Sequence, residues 1–140
     1  MTSQENCLGE KIEFIYDVLG RLDSIILPSG SQRKFTYNSV NRVTEIQDEN
    51  GNVTKYTYSP NGNMTSVTDA MGNRTEYQYD CMGNLIKITQ HGEQVEDQVT
   101  KYIWNEKNQI TQIVNPLGDG ETYTYDLAGN LIAKVDGDGY

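Results

Sequence analysis

An aromatic residue followed by turn-formers returns through this chain at a nearly constant interval, and that recurrence restricts the fold more than any other feature. The frame is plainest in Tyr16-Asp17-Val18-Leu19-Gly20-Arg21-Leu22 and Tyr79-Asp80-Cys81-Met82-Gly83-Asn84-Leu85. Its aromatic anchor falls at Tyr16, Tyr37, Tyr58, Tyr79, Trp104 and Tyr125, at spacings of 21, 21, 21, 25 and 21 residues. A fixed period of this kind marks supersecondary units that bury their surface against neighbours of the same kind. The chain accordingly divides into a polar lead, residues 1–8, and six repeats over 9–140, with four extra residues in the repeat spanning 79–104.

Within a repeat the residue types dictate short strands. A second aromatic stands two places before each anchor, at Phe14, Phe35, Tyr56, Tyr77, Tyr102 and Tyr123. Residues two apart share a face of a strand but not of a helix. The anchor is followed by Gly, Asn and Asp, which supply or tolerate the positive φ of a tight turn. An apolar residue comes next, at Leu22, Val43, Met64, Leu85, Ile110 and Leu131, and another three places on, at Ile25, Ile46, Val67, Ile88 and Ile113, where the sixth copy has Lys134. Three is the wrong spacing for one face of a regular strand, so either a bulge intervenes or the first member belongs to the turn. A second turn follows, as in Asp48-Glu49-Asn50-Gly51-Asn52, whose Asn-Gly pair is a strong hairpin signal.

Each repeat therefore reads strand, turn, strand, turn. Twelve short strands joined by tight turns give an all-β antiparallel meander, because parallel neighbours need crossovers of a dozen residues or more. No helix is expected. At about 4.8 Å per strand the ribbon would be about 60 Å wide, and a sheet of that extent is expected to curve. The array opens at Gly9 with the second strand of a unit and ends after a first strand, so both ends lie at the same phase of the repeat. Two expectations follow. One is head-to-tail self-association, with Leu131, Ala133 and Val135 of one chain paired by edge-strand addition beside Ile12, Phe14 and Tyr16 of the next. The other is that the chain is a stretch of a longer array.

Little in the composition points to chemistry. Twenty acidic against eleven basic residues, a net charge of −9, disfavour nucleic acid, which is bound by neutralising phosphates. The polar start and the absence of any long apolar run encode neither a signal peptide nor a membrane span. Cys7 and Cys81 have no metal-type spacing and read as unpaired structural residues, with a disulfide between them as the alternative. His91, the only histidine, has no nucleophile motif around it and reads as a loop residue. Asp48-Glu49-Asn50-Gly51-Asn52 and Asp136-Gly137-Asp138 lack the ligand spacing of a calcium loop and read as turns. The carboxylates recur at repeat positions, as turn and surface residues do, rather than as a hydrolytic pair. No catalytic residue, cofactor or metal is expected.

The Tyr-Asp-x-x-Gly-Asn-Leu core at Tyr79 to Leu85 and Tyr125 to Leu131, with Asp-x-x-Gly-Asn-x-Thr at Asp69 to Thr75, resembles the RHS or YD repeat family from about Gly9 to Tyr140. Asn38, Ser59 and Asn105 replace its Asp, and Asn41 and Asn108 its Gly. The resemblance implies long sheets that spiral into hollow shells around a C-terminal cargo, as in bacterial polymorphic toxins, insecticidal toxin complexes and animal teneurins. It also implies secretion or cell-surface display, and such repeats are sometimes proposed to bind carbohydrate. Those shells use many more than six repeats, and the autoproteolytic core and toxin segment have no counterpart in these residues. The functional expectation is a non-catalytic scaffold, either self-assembling or part of a shell. The alternative is an extracellular module binding a glycan or protein receptor.

Overall fold

The structure, a computed structural model, describes residues 2–5, 10–92 and 96–137. Among them are thirteen strands and no helix: β1 (Thr2–Glu5), β2 (Lys11–Tyr16), β3 (Leu22–Ile26), β4 (Gln32–Tyr37), β5 (Val43–Gln47), β6 (Val53–Tyr58), β7 (Met64–Thr68), β8 (Arg74–Tyr79), β9 (Leu85–His91), β10 (Gln98–Trp104), β11 (Ile110–Val114), β12 (Gly120–Tyr125) and β13 (Leu131–Val135). Strand order is sequence order, the all-β hairpin meander expected of the repeats. The strands fall into two compact units, Met1–Thr57 with Val67–Gly72, and Tyr58–Ser66 with Asn73–Tyr140. In the first, β1 to β6 pair successively and antiparallel. In the second, β8 to β13 do the same.

The strand beyond the expected twelve is β1. Its residues are polar and carry no β-forming signal, yet it pairs with β2 as Ser3 with Glu13, Gln4 with Ile12 and Glu5 with Lys11. One repeat later Ser24, Ile25 and Ile26 stand in the same register against Lys34, Arg33 and Gln32. Thr2–Glu5 is thus a polar version of the first strand of a unit, held by backbone bonds that need no particular side chain.

The spacing of three is explained by a bulge. Phe14 pairs with Ile25 and Ile15 with Ser24, but Tyr16 pairs with Leu22, which leaves Asp23 as one residue too many. Thr44, Ile86, Thr111 and Ile132 are the extra residues at the equivalent places. The additional residue brings Leu22 and Ile25 back to one face, opposite Tyr16 and Phe14. In the sixth copy Lys134 takes the apolar position, lies 5.8 Å from the Tyr123 ring centre and pairs with Glu121 at 2.6 Å.

The described residues form no buried apolar core. The only buried side chains among them are the small polar ones of Ser24, Ser66 and Thr89. Ser24 is wholly inaccessible, between the longer cross-strand neighbours Ile15 and Lys34 on the face opposite the aromatics. The aromatic face is half-buried, with Tyr16 still 43% exposed. Backbone pairing and cross-strand contacts, rather than a second layer, hold each unit together.

Candidate functional site

The turn after each anchor is built the same way. The Asp17 amide donates to the Arg21 carbonyl at 2.8 Å, and the Gly20 amide to the Asp17 carbonyl at 3.0 Å. Together these close a type I turn followed by a left-handed residue. Gly20 holds that last position with φ 79°, and Asn41 and Asn108 hold it with φ 62° and 58°, so asparagine replaces glycine where the conformation requires a tolerant residue. Asp17 Oδ1 accepts from the amides of Leu19 at 2.9 Å and Arg21 at 3.0 Å. Asn38, Asp80 and Asn105 accept the equivalent pairs. The position therefore needs a side-chain oxygen acceptor and not a charge, which is why Asn substitutes freely. Ser59 supplies a shorter acceptor, to the Asn63 amide at 3.2 Å.

These bonds depress the carboxyl pKa values. At Asp17 the Arg21 amide has the largest effect, at Asp48 and Asp126 the side chains of Asn52 and Asn130. At Asp80 desolvation opposes the bonds from Asn84, and the bonds prevail. Asp48 is engaged by Asn50 and Asn52, which is turn chemistry, and no group of three metal-ligating side chains occurs among the described residues.

A second set of bonds joins one repeat to the next. The Tyr37 hydroxyl donates to the Leu22 carbonyl at 2.8 Å, Tyr125 to Ile110 at 2.8 Å, and Trp104 Nε1 to Leu85 at 2.8 Å. Each acceptor lies beside a bulge, where the regular ladder is interrupted. The anchor must therefore be an aromatic with a donor. The six anchors are Tyr or Trp, whereas the column two residues earlier admits Phe14 and Phe35. In three repeats the residue after the left-handed position ties neighbouring turns. Arg21 Nη1 reaches Asn41 Oδ1 at 2.9 Å and stacks 4.7 Å from the Tyr37 ring centre, Asn84 reaches Asn108 at 3.0 Å, and Gln109 donates to the Gly129 carbonyl at 2.8 Å.

Similar shallow clefts open between consecutive turns. One, of about 420 Å³, is lined by Ser59, Asn63, Tyr77, Tyr79 and Asp80; its counterpart, of about 460 Å³, by Asn105, Gln109, Tyr123, Tyr125 and Asp126. In the second, Gln109 and Tyr125 bond to the neighbouring repeat and Asn105 to Gln109 within its own turn, so these three polar groups are engaged within the protein.

Of the candidate assembly residues, Ile12, Phe14 and Tyr16 lie in β2, with β1 along its other edge. Leu131, Ala133 and Val135 lie in β13, all exposed. His91 is the last residue of β9 rather than a loop residue, with Nδ1 2.8 Å from Asp97 and Nε2 3.7 Å from Glu76. Cys81 is a free, exposed thiol at a turn tip; Cys7 lies outside the described residues, as do Gly9, Asp138, Gly139 and Tyr140. The repeat-linking bonds were missed in sequence, although the restriction of the anchor column to donors was their visible sign.

The family profile described as RHS Repeat matches residues 16–53, 37–70, 58–90 and 104–140. The chain belongs to the RHS repeat family. Its RHS repeats share their fold with the Photorhabdus luminescens Tc holotoxin pore carrying a TccC3 substitution, at TM-score 0.78 and 19% identity, over 96% of this chain and 8% of that one. They also match a crystal structure of TcdB2-TccC3-Cdc42, at TM-score 0.75 and 18% identity over 89% of this chain and 7% of that one. This chain of RHS repeats thus spans less than a tenth of the length of these structures. No curated protein matches it.

Proposed function

We propose that this chain is a non-catalytic structural segment of an RHS-type shell, working outside the cell in a toxin-associated assembly. The observation that carries this reading is the use of the repeat's polar side chains. Asp or Asn of the turn, the anchor hydroxyl, and the Arg, Asn or Gln after the turn act on the backbone or on the neighbouring repeat. Such a unit extends a sheet, and its recurring polar groups are spent on holding that sheet together. The fold shared with Tc toxin chains supports the shell context.

Self-association by strand pairing belongs to the same reading. Leu131–Val135 of one chain would pair beside Ile12–Tyr16 of the next. Because β1 occupies that edge, the pairing is an exchange in which Leu131–Val135 replaces Thr2–Glu5. Light scattering followed by electron microscopy tests it. Regular filaments that shorten when Pro replaces Ala133, removing a backbone donor, are the expected result. Filament length unchanged by that substitution overturns the pairing.

A further inference from the structure

The two terminal strands of the repeats depart from a cross-strand rule that the others keep. Where the first strand of a repeat pairs with the second, the aromatic face sets an apolar residue against a polar one. Ile25 faces Arg33, Ile46 faces Thr54, Ile88 faces Thr100 and Ile113 faces Glu121. Strand β2 carries Ile12 where the later strands have the polar residue, and β13 carries Lys134 where the earlier ones have the apolar residue. Within one copy β1 already answers the first departure, with Gln4 against Ile12. Lys134 would answer it as well, its methylene stem along Ile12 and its ammonium still 2.6 Å from Glu121. The two departures therefore compensate each other when β13 stands beside β2 of a second copy.

A donor and an acceptor coincide with these departures. Tyr37, Trp104 and Tyr125 each donate to the carbonyl beside a preceding bulge, at Leu22, Leu85 and Ile110. Tyr16 is an anchor of the same kind, 43% exposed, and its hydroxyl has no partner among the described residues. Leu131 is 54% exposed beside the last bulge, and among the described residues no later anchor bonds its carbonyl. One register satisfies both sets. Tyr37 reaches Leu22 when Ser24 stands opposite Lys34. Ala133 opposite Glu13 repeats that register, with Tyr16 in the place of Tyr37 and Leu131 in that of Leu22. We propose, resting on the strand pairing between copies, that Tyr16 of one copy sets its register by donating to the Leu131 carbonyl of the other. Ala133 then stands against Glu13, Lys134 against Ile12 and Val135 against Lys11. A slip of two residues would keep every side chain on its own face, so the pleat does not choose between such registers. The hydroxyl does.

Sedimentation velocity of the full chain over a concentration series, with disulfide trapping, tests the proposal. Tyr16→Phe keeps the ring and removes the donor, so association weakens about fivefold, the worth of one neutral hydrogen bond. The urea midpoint of the dissociated chain stays that of the wild type, because this hydroxyl bonds nothing within one copy. Tyr102→Phe leaves association unchanged. For trapping, Ala133→Cys and Glu13→Cys chains, each also carrying Cys7→Ser and Cys81→Ser, are mixed and mildly oxidised. Peptide mass spectrometry finds positions 13 and 133 linked, and finds no link when Lys11→Cys replaces Glu13→Cys. Association that Ala133→Pro abolishes but Tyr16→Phe leaves unchanged overturns the register while the strand pairing stands, as does a link to position 11 in place of 13. Mass independent of concentration, or association indifferent to Ala133→Pro, overturns both.

Discussion

Replacing Tyr125 with Phe isolates the bond that joins one repeat to the next. The substitution keeps the ring, and with it nearly all the buried apolar area, and removes only the hydroxyl that donates to the Ile110 carbonyl at 2.8 Å. A neutral intramolecular hydrogen bond contributes about 1 kcal/mol net, and an acceptor left without a partner in a dry interior costs up to about 3 kcal/mol. Tyr125 is half-buried, so water reaches the orphaned carbonyl and the lower figure applies, about 1 kcal/mol. Trp104 pairs directly with Ile110 and is the sole tryptophan, so its fluorescence reports unfolding at the altered place. With a urea m-value of about 1–3 kcal/mol/M, the midpoint falls by about 0.3–1 M. Tyr102→Phe is the control, because the column it occupies already holds Phe14 and Phe35. Equal midpoints for Tyr125→Phe and Tyr102→Phe would refute the claim that the anchor is chosen for its donor.

Three further outcomes follow from the turns. Asp17, Asp48, Asp80 and Asp126 have depressed pKa values, so their stabilisation is complete above the ordinary carboxylate range and is lost as pH falls through the folded values. Thermal midpoints should drop below about pH 4, and less steeply in the triple variant Asp17→Asn, Asp48→Asn, Asp126→Asn, which keeps the acceptor and removes the titration. Gly20→Ala meets no atom within 4 Å and suffers only the left-handed backbone, about 1 kcal/mol by chemical denaturation. Gly120→Ala drives its Cβ into the Ile113 carbonyl, so it lowers the midpoint more than Gly20→Ala does in the same assay.

The fold was legible because the repeat states it six times. One occurrence of Tyr-Asp-x-x-Gly-Asn-Leu is a weak turn signal, but its return at 21 residues fixes both the strand length and the side on which each aromatic lies. The spacing between Leu22 and Ile25 was ambiguous because a bulge is an event in pairing, visible only when Tyr16 is set against Leu22 and Ile15 against Ser24. Strand β1 was invisible for a different reason. Thr2–Glu5 pairs through backbone groups, and its side chains keep the register of Ser24 to Ile26 without their apolar character. The cross-links between turns were hidden because Arg21, Asn84 and Gln109 differ in type while doing the same work, and no single-letter pattern unites them.

The absence of buried apolar side chains among the described residues also sets how this protein meets temperature. The heat capacity of unfolding comes from hydrating apolar surface, at about 12–15 cal/mol/K per residue in ordinary domains, and newly exposed polar surface reduces it. A sheet that releases mostly backbone amides and half-wet tyrosines falls below that range. Its stability curve is correspondingly shallow, so the free energy holding the strands together changes little between low and high temperature.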